Sequence, residues 1–322
     1  MLHKPLFELK EFNIIIIGDL MLDRYLYGNI ARISPEAPVP VLEKVKVENK
    51  PGGAANVALN IKSLGSNPYL FGITGDDNAG NILNEILSSD GIETDNIIRI
   101  HGRPTTLKTR IMASGQHLLR IDDEICDEID DEIQQAVKVK FDTLIQKVKI
   151  AAVIFQDYNK GFLTEKLINY IINRCSLNGI FTGVDPKFNN FLSYKNVNFF
   201  KPNLKEISAV LNLNILPEKE KLDIAAAKLH QELSFDNLFI TLGEKGIYYY
   251  NHTNSDVIPT KKKNIVDVSG AGDVVISAAT LFFLLDMSIE KIAEISNIAG
   301  GLACDSLGVA TVTKAQLMEA VI

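Results

Sequence analysis

Short runs of β-branched and other apolar residues alternate along this chain with longer stretches in which apolar positions recur every three or four residues. Continuous apolar runs of four to six residues suit strands buried on both faces, and the longer period suits helices with one covered face. The pattern predicts strands at residues 13–17, 69–73, 151–156, 180–184, 198–201, 238–242 and 246–250. It predicts helices at 54–64, 79–89, 130–148, 164–174, 204–211, 219–233, 271–285, 289–302 and 314–321. Alternation of this kind argues for an α/β fold with a largely parallel central sheet flanked by helices.

Two stretches break the alternation. Residues 23–47 and 99–121 read as extended segments, carrying Pro35, Pro38, Pro40 and Pro104 and short alternating runs such as 105–112. They predict a small β layer standing off the main sheet, suited to covering a ligand as a lid. No repeat, low-complexity tract or linker divides the chain, so residues 1–322 read as a single domain. The lid's apolar Ile30, Ile33, Val39 and Val41 have little core to cover. A small β layer with an open edge is marginal alone, so two lids are expected to pair in a homodimer.

Composition narrows the function classes. The 322 residues are 46% hydrophobic and 23% charged, enough for a large buried core. A net charge of −7 without a long basic block makes nucleic acid and anionic membrane surfaces poor partners. Cys126, Cys175 and Cys304 lie far apart, which indicates neither a disulfide framework nor a zinc knuckle and fits a reducing cytoplasm. The run Ile14 to Ile17 is broken at once by Gly18 and Asp19, too short for a signal-peptide core. The longest apolar stretch, 274–285, falls short of the ~18 residues a membrane span needs.

Candidate chemistry gathers in the run Asp267-Val268-Ser269-Gly270-Ala271-Gly272-Asp273. Gly270 and Gly272 remove Cβ atoms where backbone N–H groups point at a ligand, and a helix opening there adds its positive dipole end. Asp273 then stands where it can take a proton from a hydroxyl attacking a phosphoryl group. The competing reading is a glycine-rich loop capping a buried helix; the small Ser277, Ala278 and Ala279 that follow favour the phosphate cradle, and with it a small-molecule kinase.

Other strand ends carry polar residues, where ligands bind in open parallel sheets. Asp19 and Asp23 follow the first strand and serve either as acceptors for a polyol or as turn caps. Gly52 and Gly53 precede a helix, either to admit a ligand or to pack helix on sheet, with Asn56 facing the same pocket. The segments Gln156-Asp157-Tyr158, Lys160-Gly161 and Asp185-Pro186-Lys187 set charge at strand ends, with roles left open. Asn203 and Glu206, one helical turn apart, suit either an Mg²⁺ ion held through water and phosphates or a helix cap.

Taken together, Gly52-Gly53-Ala54-Ala55-Asn56, Lys201-Pro202-Asn203-x-x-Glu206, Thr241-x-Gly243-x-x-Gly246 and Asp267-x-x-Gly270-Ala271-Gly272-Asp273 resemble the motifs of the ribokinase-like, or pfkB, carbohydrate kinases, over nearly the whole chain. The resemblance implies ATP and Mg²⁺, with Asp273 as catalytic base and Gly270, Ala271 and Gly272 as anion hole. It places Asn203 and Glu206 at nucleotide and magnesium, and Thr241, Gly243, Gly246, Asn297 and Gly300 along the ATP site. A narrower set is similar to the D-glycero-β-D-manno-heptose 7-phosphate kinases: Leu22-Asp23-Arg24-Tyr25, residues 32–41, residues 51–58, residues 105–110 and Leu118-Leu119-Arg120-Ile121-Asp122.

That subgroup makes heptose 1,7-bisphosphate on the route to ADP-heptose for lipopolysaccharide. It implies sugar contacts from Asp19, Asp23, Gly52, Gly53 and Asn56, and a 7-phosphate held by lid cations among Arg24, Arg32, Lys108, Arg110 and Arg120. Some of its members are fused to a nucleotidyltransferase; no His-x-Gly-His motif follows Thr313, so a stand-alone kinase is expected. Residues 241–246 follow the general kinase pattern more closely than the heptose subgroup, and Lys187 continues into Phe188-Asn189-Asn190 where a small residue is usual. Another sugar or sugar phosphate is therefore an alternative acceptor. No Gly-x-Gly-x-x-Gly follows residues 14–18, which sets aside a dinucleotide-binding dehydrogenase, and the intact Asp273 with its glycines argues against a catalytically dead sensor.

Overall fold

The structure, a computed structural model, describes residues 11–260, 266–305 and 308–321. Its core is a nine-stranded sheet. Strands β1 (Asn13–Gly18), β4 (Asn67–Gly75), β5 (Ile97–Ile100), β8 (Ala152–Gln156), β9 (Phe181–Asp185), β10 (Phe199–Phe200), β11 (Asn237–Thr241), β12 (Ile247–Asn251) and β13 (Ser255–Ile258) stand in the order β13-β12-β11-β10-β9-β8-β1-β4-β5. Pairing is parallel from β5 through β11 and antiparallel for the β11–β12–β13 edge. Helices cover both faces, which is why Ile14, Ile15, Ile16 and Ile17 are all fully buried. Ile14 and Ile16 join one core with the apolar residues of the Ala54–Ser63, Ala271–Phe283 and Ile289–Ala303 helices. Ile15 and Ile17 join the other with the Asp131–Lys147, Glu165–Asn178 and Lys219–Leu233 helices.

The lid is a separate four-stranded sheet, β3-β2-β6-β7, built from β2 (Leu20–Ile33), β3 (Pro40–Gly53), β6 (Leu107–Ala113) and β7 (Gln116–Asp123). It departs from the expected bounds in two ways. β2 and β3 pair all the way down to Leu20 opposite Gly53, so Asp23 and both glycines are strand residues and not loop residues. Ile97–Ile100 belongs to the main sheet beside β4, where its isoleucines complete the edge, and not to the lid. The short β13 also escaped the hydrophobic pattern, since Ser255 and Asp256 supply half of its four positions.

Register gives the lid two unlike faces, because paired residues on neighbouring strands share a side. Glu48, Tyr25, Arg110 and Arg120 form one row across all four strands, and Lys50, Asp23, Lys108 and Asp122 form the next. On the opposite face, Val47, Leu26, Ile111 and Leu119 form an apolar row. Val47, Leu119 and neighbouring Ile121 are 41%, 56% and 46% exposed.

Candidate functional site

Asp273 sits in the first turn of the Ala271–Phe283 helix, only 2% exposed. The residues behind it, Val274 through Phe282, are buried without a break, so packing fixes this helix start against β8 and β9. Gly270 caps the helix at φ 80°, a left-handed conformation that a side chain disfavours. A Cβ there would also lie 3.1 Å from Asn56 Nδ2 and 3.2 Å from Val309 Cγ1.

Three donors converge on the Asp273 carboxylate. Asn56 Nδ2 donates to Oδ2 at 2.7 Å. Gln156 Nε2 and the Tyr158 hydroxyl both donate to Oδ1, each at 2.9 Å. Burial pushes the Asp273 pKa up to about 7; Asp185 adds to the rise, while the Asn56 and Tyr158 hydrogen bonds and Lys201 oppose it. A carboxyl group so poised near neutrality is matched to the work of a general base.

Beside the glycines lies a buried ion pair, Lys201 Nζ to Asp185 Oδ2 at 2.9 Å. A Cβ on Gly272 would come 3.5 Å from that ammonium and 3.6 Å from that carboxylate. Lys187 pairs with Glu206 and stands 5.4 Å above the Tyr158 ring. Burial works against its charge, but Asp185 and Glu206 outweigh that cost and raise the ammonium pKa.

In front of these groups opens a cavity of about 590 Å³. It brings together most of the residues expected at a nucleotide: Asn203, Thr241, Gly243, Gly246, Gly270, Ala271, Gly272, Asp273, Asn297 and Gly300 all line it. An isolated bridge between Asn203 and Thr241 sets two of these strand ends side by side. Glu206 does not line the cavity. The helix-cap reading of this pair is realised instead: Glu206 N donates to Asn203 Oδ1 at 2.9 Å and Asn203 N donates to Glu206 Oε2 at 2.8 Å, while Oε1 takes Lys187. Asn297 is likewise engaged, donating to the carbonyls of Ile258 (3.3 Å) and Pro259 (3.0 Å).

On the acceptor side the structure sorts the expected residues. The Asp19 carboxylate accepts N–H groups of Tyr158 (2.7 Å), Lys160 (3.1 Å) and Phe162 (3.4 Å), so it anchors that loop. Burial, and then Asp157, lift its pKa to about 6. Asn56 serves the base, as described. Gly52 makes room for Asp23, whose Oδ2 a side chain at 52 would strike, and Gly53 turns at φ 60° from strand to helix against the Asp19 carbonyl. Asp23 is buried and paired with Arg110.

The lid cations are dispersed. Lys108, Arg110 and Arg120 share the charged face, and each already has a carboxylate: Lys108 meets Asp122 at 3.2 Å and Glu124 at 3.0 Å, Arg110 meets Asp23, and Arg120 meets Asp122 at 2.8 Å. Arg24, which donates to Asn49 Oδ1 at 3.0 Å, points to the other face, and Arg32 is exposed near the far end of β2. Lys50, which composition did not single out, joins the charged face; it donates to the Val309 carbonyl at 3.3 Å and stands 5.6 Å over Tyr25. Because Val309 also packs beside Gly270, this face of the lid lies over the glycine cradle.

Known proteins resemble this chain over most of its length. A profile described as pfkB family carbohydrate kinase matches residues 11–316. The bifunctional protein HldE of Aliarcobacter butzleri (strain RM4018) is 36% identical over 310 residues, which is 96% of this chain and 64% of that protein. The bifunctional protein HldE of Vibrio parahaemolyticus serotype O3:K6 (strain RIMD 2210633) is 37% identical over 322 residues, 99% of this chain and 65% of that one. This chain therefore spans a little under two thirds of these relatives' length. Among solved structures, Arabidopsis thaliana ribokinase complexed with ribose and ATP superposes with a TM-score of 0.75 at 16% identity, covering 97% of this chain and 99% of that one. Escherichia coli phosphofructokinase-2 in complex with fructose-6-phosphate gives 0.75 at 17% identity, covering 97% and 98%. These two share the ribokinase-like fold. The chain belongs to the pfkB family of carbohydrate kinases.

Proposed function

We propose that this pfkB-family sugar kinase transfers the γ-phosphoryl group of ATP to O1 of D-glycero-β-D-manno-heptose 7-phosphate. The product is the 1,7-bisphosphate, a step toward ADP-heptose and lipopolysaccharide core. The observation that carries the kinase chemistry is the buried Asp273 carboxyl, with its pKa raised to about 7, set beside the Gly270–Gly272 helix start and opening onto the cavity. Support for the heptose acceptor comes from the subgroup motifs at residues 22–25, 32–41 and 105–122 and from the HldE relatives.

In this reading ATP lies along Asn203, Thr241, Gly243, Gly246, Asn297 and Gly300, with its phosphates toward the helix start. Asp273 takes the proton of the anomeric hydroxyl as that oxygen attacks phosphorus, and the N–H groups of Gly270, Ala271 and Gly272 stabilise charge on the transferred group. Mg²⁺ would supply charge neutralisation at the leaving diphosphate; Asn203 and Glu206 are the residues expected to hold it through water, and to do so they would have to give up the helix cap and the Lys187 partner that occupy their oxygens here. Among the described residues no three His, Cys, Asp or Glu side chains cluster as a metal cage. Asp23, Gly52 and the lid's charged face border the acceptor, and Lys108, Arg110 and Arg120 give up internal carboxylate partners to grip the 7-phosphate.

The apolar row of Val47, Leu26, Ile111 and Leu119 is the surface through which two lids pair in a homodimer. Among the described residues no helix is long and apolar enough to cross a membrane, and a cytoplasmic location, where ATP is available, completes the reading. A coupled ADP-release screen across sugars and sugar phosphates tests it. Turnover on the heptose 7-phosphate with little on free heptose, fructose or ribose supports the reading; preference for another sugar phosphate would reassign the acceptor within the same chemistry.

A further inference from the structure

The three donors on Asp273 are unevenly shared, and the imbalance identifies which oxygen does the work. A carboxylate offers about four in-plane lone-pair sites, two on each oxygen. Oδ1 uses both, accepting from Gln156 Nε2 and from the Tyr158 hydroxyl at 2.9 Å each. Among the described residues Oδ2 accepts only from Asn56 Nδ2, at 2.7 Å, which leaves one of its sites open. Gln156 cannot present its other amide atom without aiming an oxygen at two carboxylates, since its Nε2 also reaches Asp185 Oδ2 at 3.2 Å. The Tyr158 phenol is held far above its ordinary pKa by burial and by Asp273 itself, so it stays a donor.

We infer that Tyr158 is a positioning residue for the phosphoryl-transfer reaction: its hydroxyl saturates Oδ1 and turns Oδ2 to the acceptor, so that Oδ2 is the atom that takes the proton. The inference rests on the reading of Asp273 as the base. Asp19 belongs to the same device at one remove. Its Oδ2 accepts the Tyr158 and Lys160 N–H groups, which fixes the loop from which the Tyr158 ring reaches the carboxylate. The proton leaves the acceptor hydroxyl for Oδ2 as the new oxygen–phosphorus bond forms and the bond to the leaving diphosphate breaks. Oδ1 then serves as the carbonyl oxygen of the protonated acid and still accepts from both donors. Besides Tyr158, the charged groups around Asp273 are Asp185 and Lys201 from the neighbouring strand ends and Lys187 over the Tyr158 ring.

The test is Tyr158→Phe beside Asp273→Asn, with kcat, both KM values and the pH dependence of kcat measured by ADP release, and thermal midpoints as a fold control. Removing a hydrogen bond to the ionised carboxylate raises its pKa, so the acid limb of the Tyr158→Phe profile should move up by about one pH unit. Its kcat should fall on the order of tenfold at neutral pH, with KM values within about threefold and an unchanged thermal midpoint. An unmoved acid limb, whether kcat is retained or lost, overturns the assignment of Tyr158. Retained turnover in Asp273→Asn overturns the reading of the base itself, and the two failures are distinct.

Discussion

Replacing Asp273 with Asn should make the protein more stable and nearly inactive, and the size of both effects can be worked from the site. The carboxyl pKa is about 7 in the fold against an ordinary 3.8 for aspartate, a rise caused first by burial, with Asp185 adding to it. Below pH 3.8 the acid is protonated folded or unfolded and costs nothing. Between the two values the unfolded chain ionises while the folded one does not, so stability drains away as pH rises, and above the folded value the loss is complete. Three units at 1.36 kcal/mol each set a ceiling of about 4 kcal/mol.

An amide at this position forgoes that cost, but it must set an NH₂ against a donor, either Asn56 Nδ2 or the Gln156 and Tyr158 pair. That mismatch costs about 1–3 kcal/mol, which leaves a net gain of roughly 1–3 kcal/mol at pH 8. Thermal unfolding of both proteins from pH 4.5 to pH 8 measures it. The mutant's advantage should widen as pH rises to about 7 and then level off, while its kcat falls by ~10² to 10⁴. A stability difference that does not change with pH would refute the burial argument, and near-normal turnover would remove Asp273 from the chemistry.

Three further outcomes follow from the geometry. Gly272→Ala puts a methyl group 3.5 Å from Lys201 Nζ and 3.6 Å from Asp185 Oδ2, an ordinary contact, so the thermal midpoint should hold while kcat drops about tenfold or more because the methyl crowds the phosphoryl group; unchanged kcat would show that the transferred group passes elsewhere. Arg120→Ala and Arg110→Ala should each weaken sugar-phosphate binding by about 1.5–3 kcal/mol in calorimetry and leave ATP affinity unchanged. Arg120 is the cleaner probe because removing Arg110 also strands buried Asp23, and equal loss for ATP would move these arginines to the nucleotide. Leu119→Lys in the apolar row should convert a dimer to monomer in light scattering without loss of fold, whereas a wild-type monomer at micromolar concentration would end the lid-pairing proposal.

Local physics made much of this protein legible in advance. The apolar run Ile14 to Ile17 could only be a strand covered on both faces, and glycines before small residues mark a helix start open to an anion wherever they sit in a fold. Hence the sheet, the glycine cradle and Asp273 were readable from neighbouring residues, whereas Thr241, Gly243, Gly246, Asn297 and Gly300 in the cavity lining were expected only from the family resemblance. The extension of β2 and β3 down to Gly53 was not, because pairing between strands that meet at Leu20 and Gly53 is set by register and not by the apolar pattern of either. Nor was the fate of Asp19 and Asn56, polar residues whose partners are decided by what lies across the fold, whereas the Asn203–Glu206 cap is local and was one of the two readings the sequence offered.

The base's surroundings show the division most clearly. Asn56, Gln156 and Tyr158 stand 217, 117 and 115 positions from Asp273, and no local pattern relates them. Sequence placed a carboxylate at the mouth of a helix because helix and glycine preferences act over a few residues. Tertiary structure alone decided that the carboxylate is buried, that three donors hold it and that one lone pair is left open, because desolvation and hydrogen bonding depend on groups that only the folded sheet brings within 3 Å of one another.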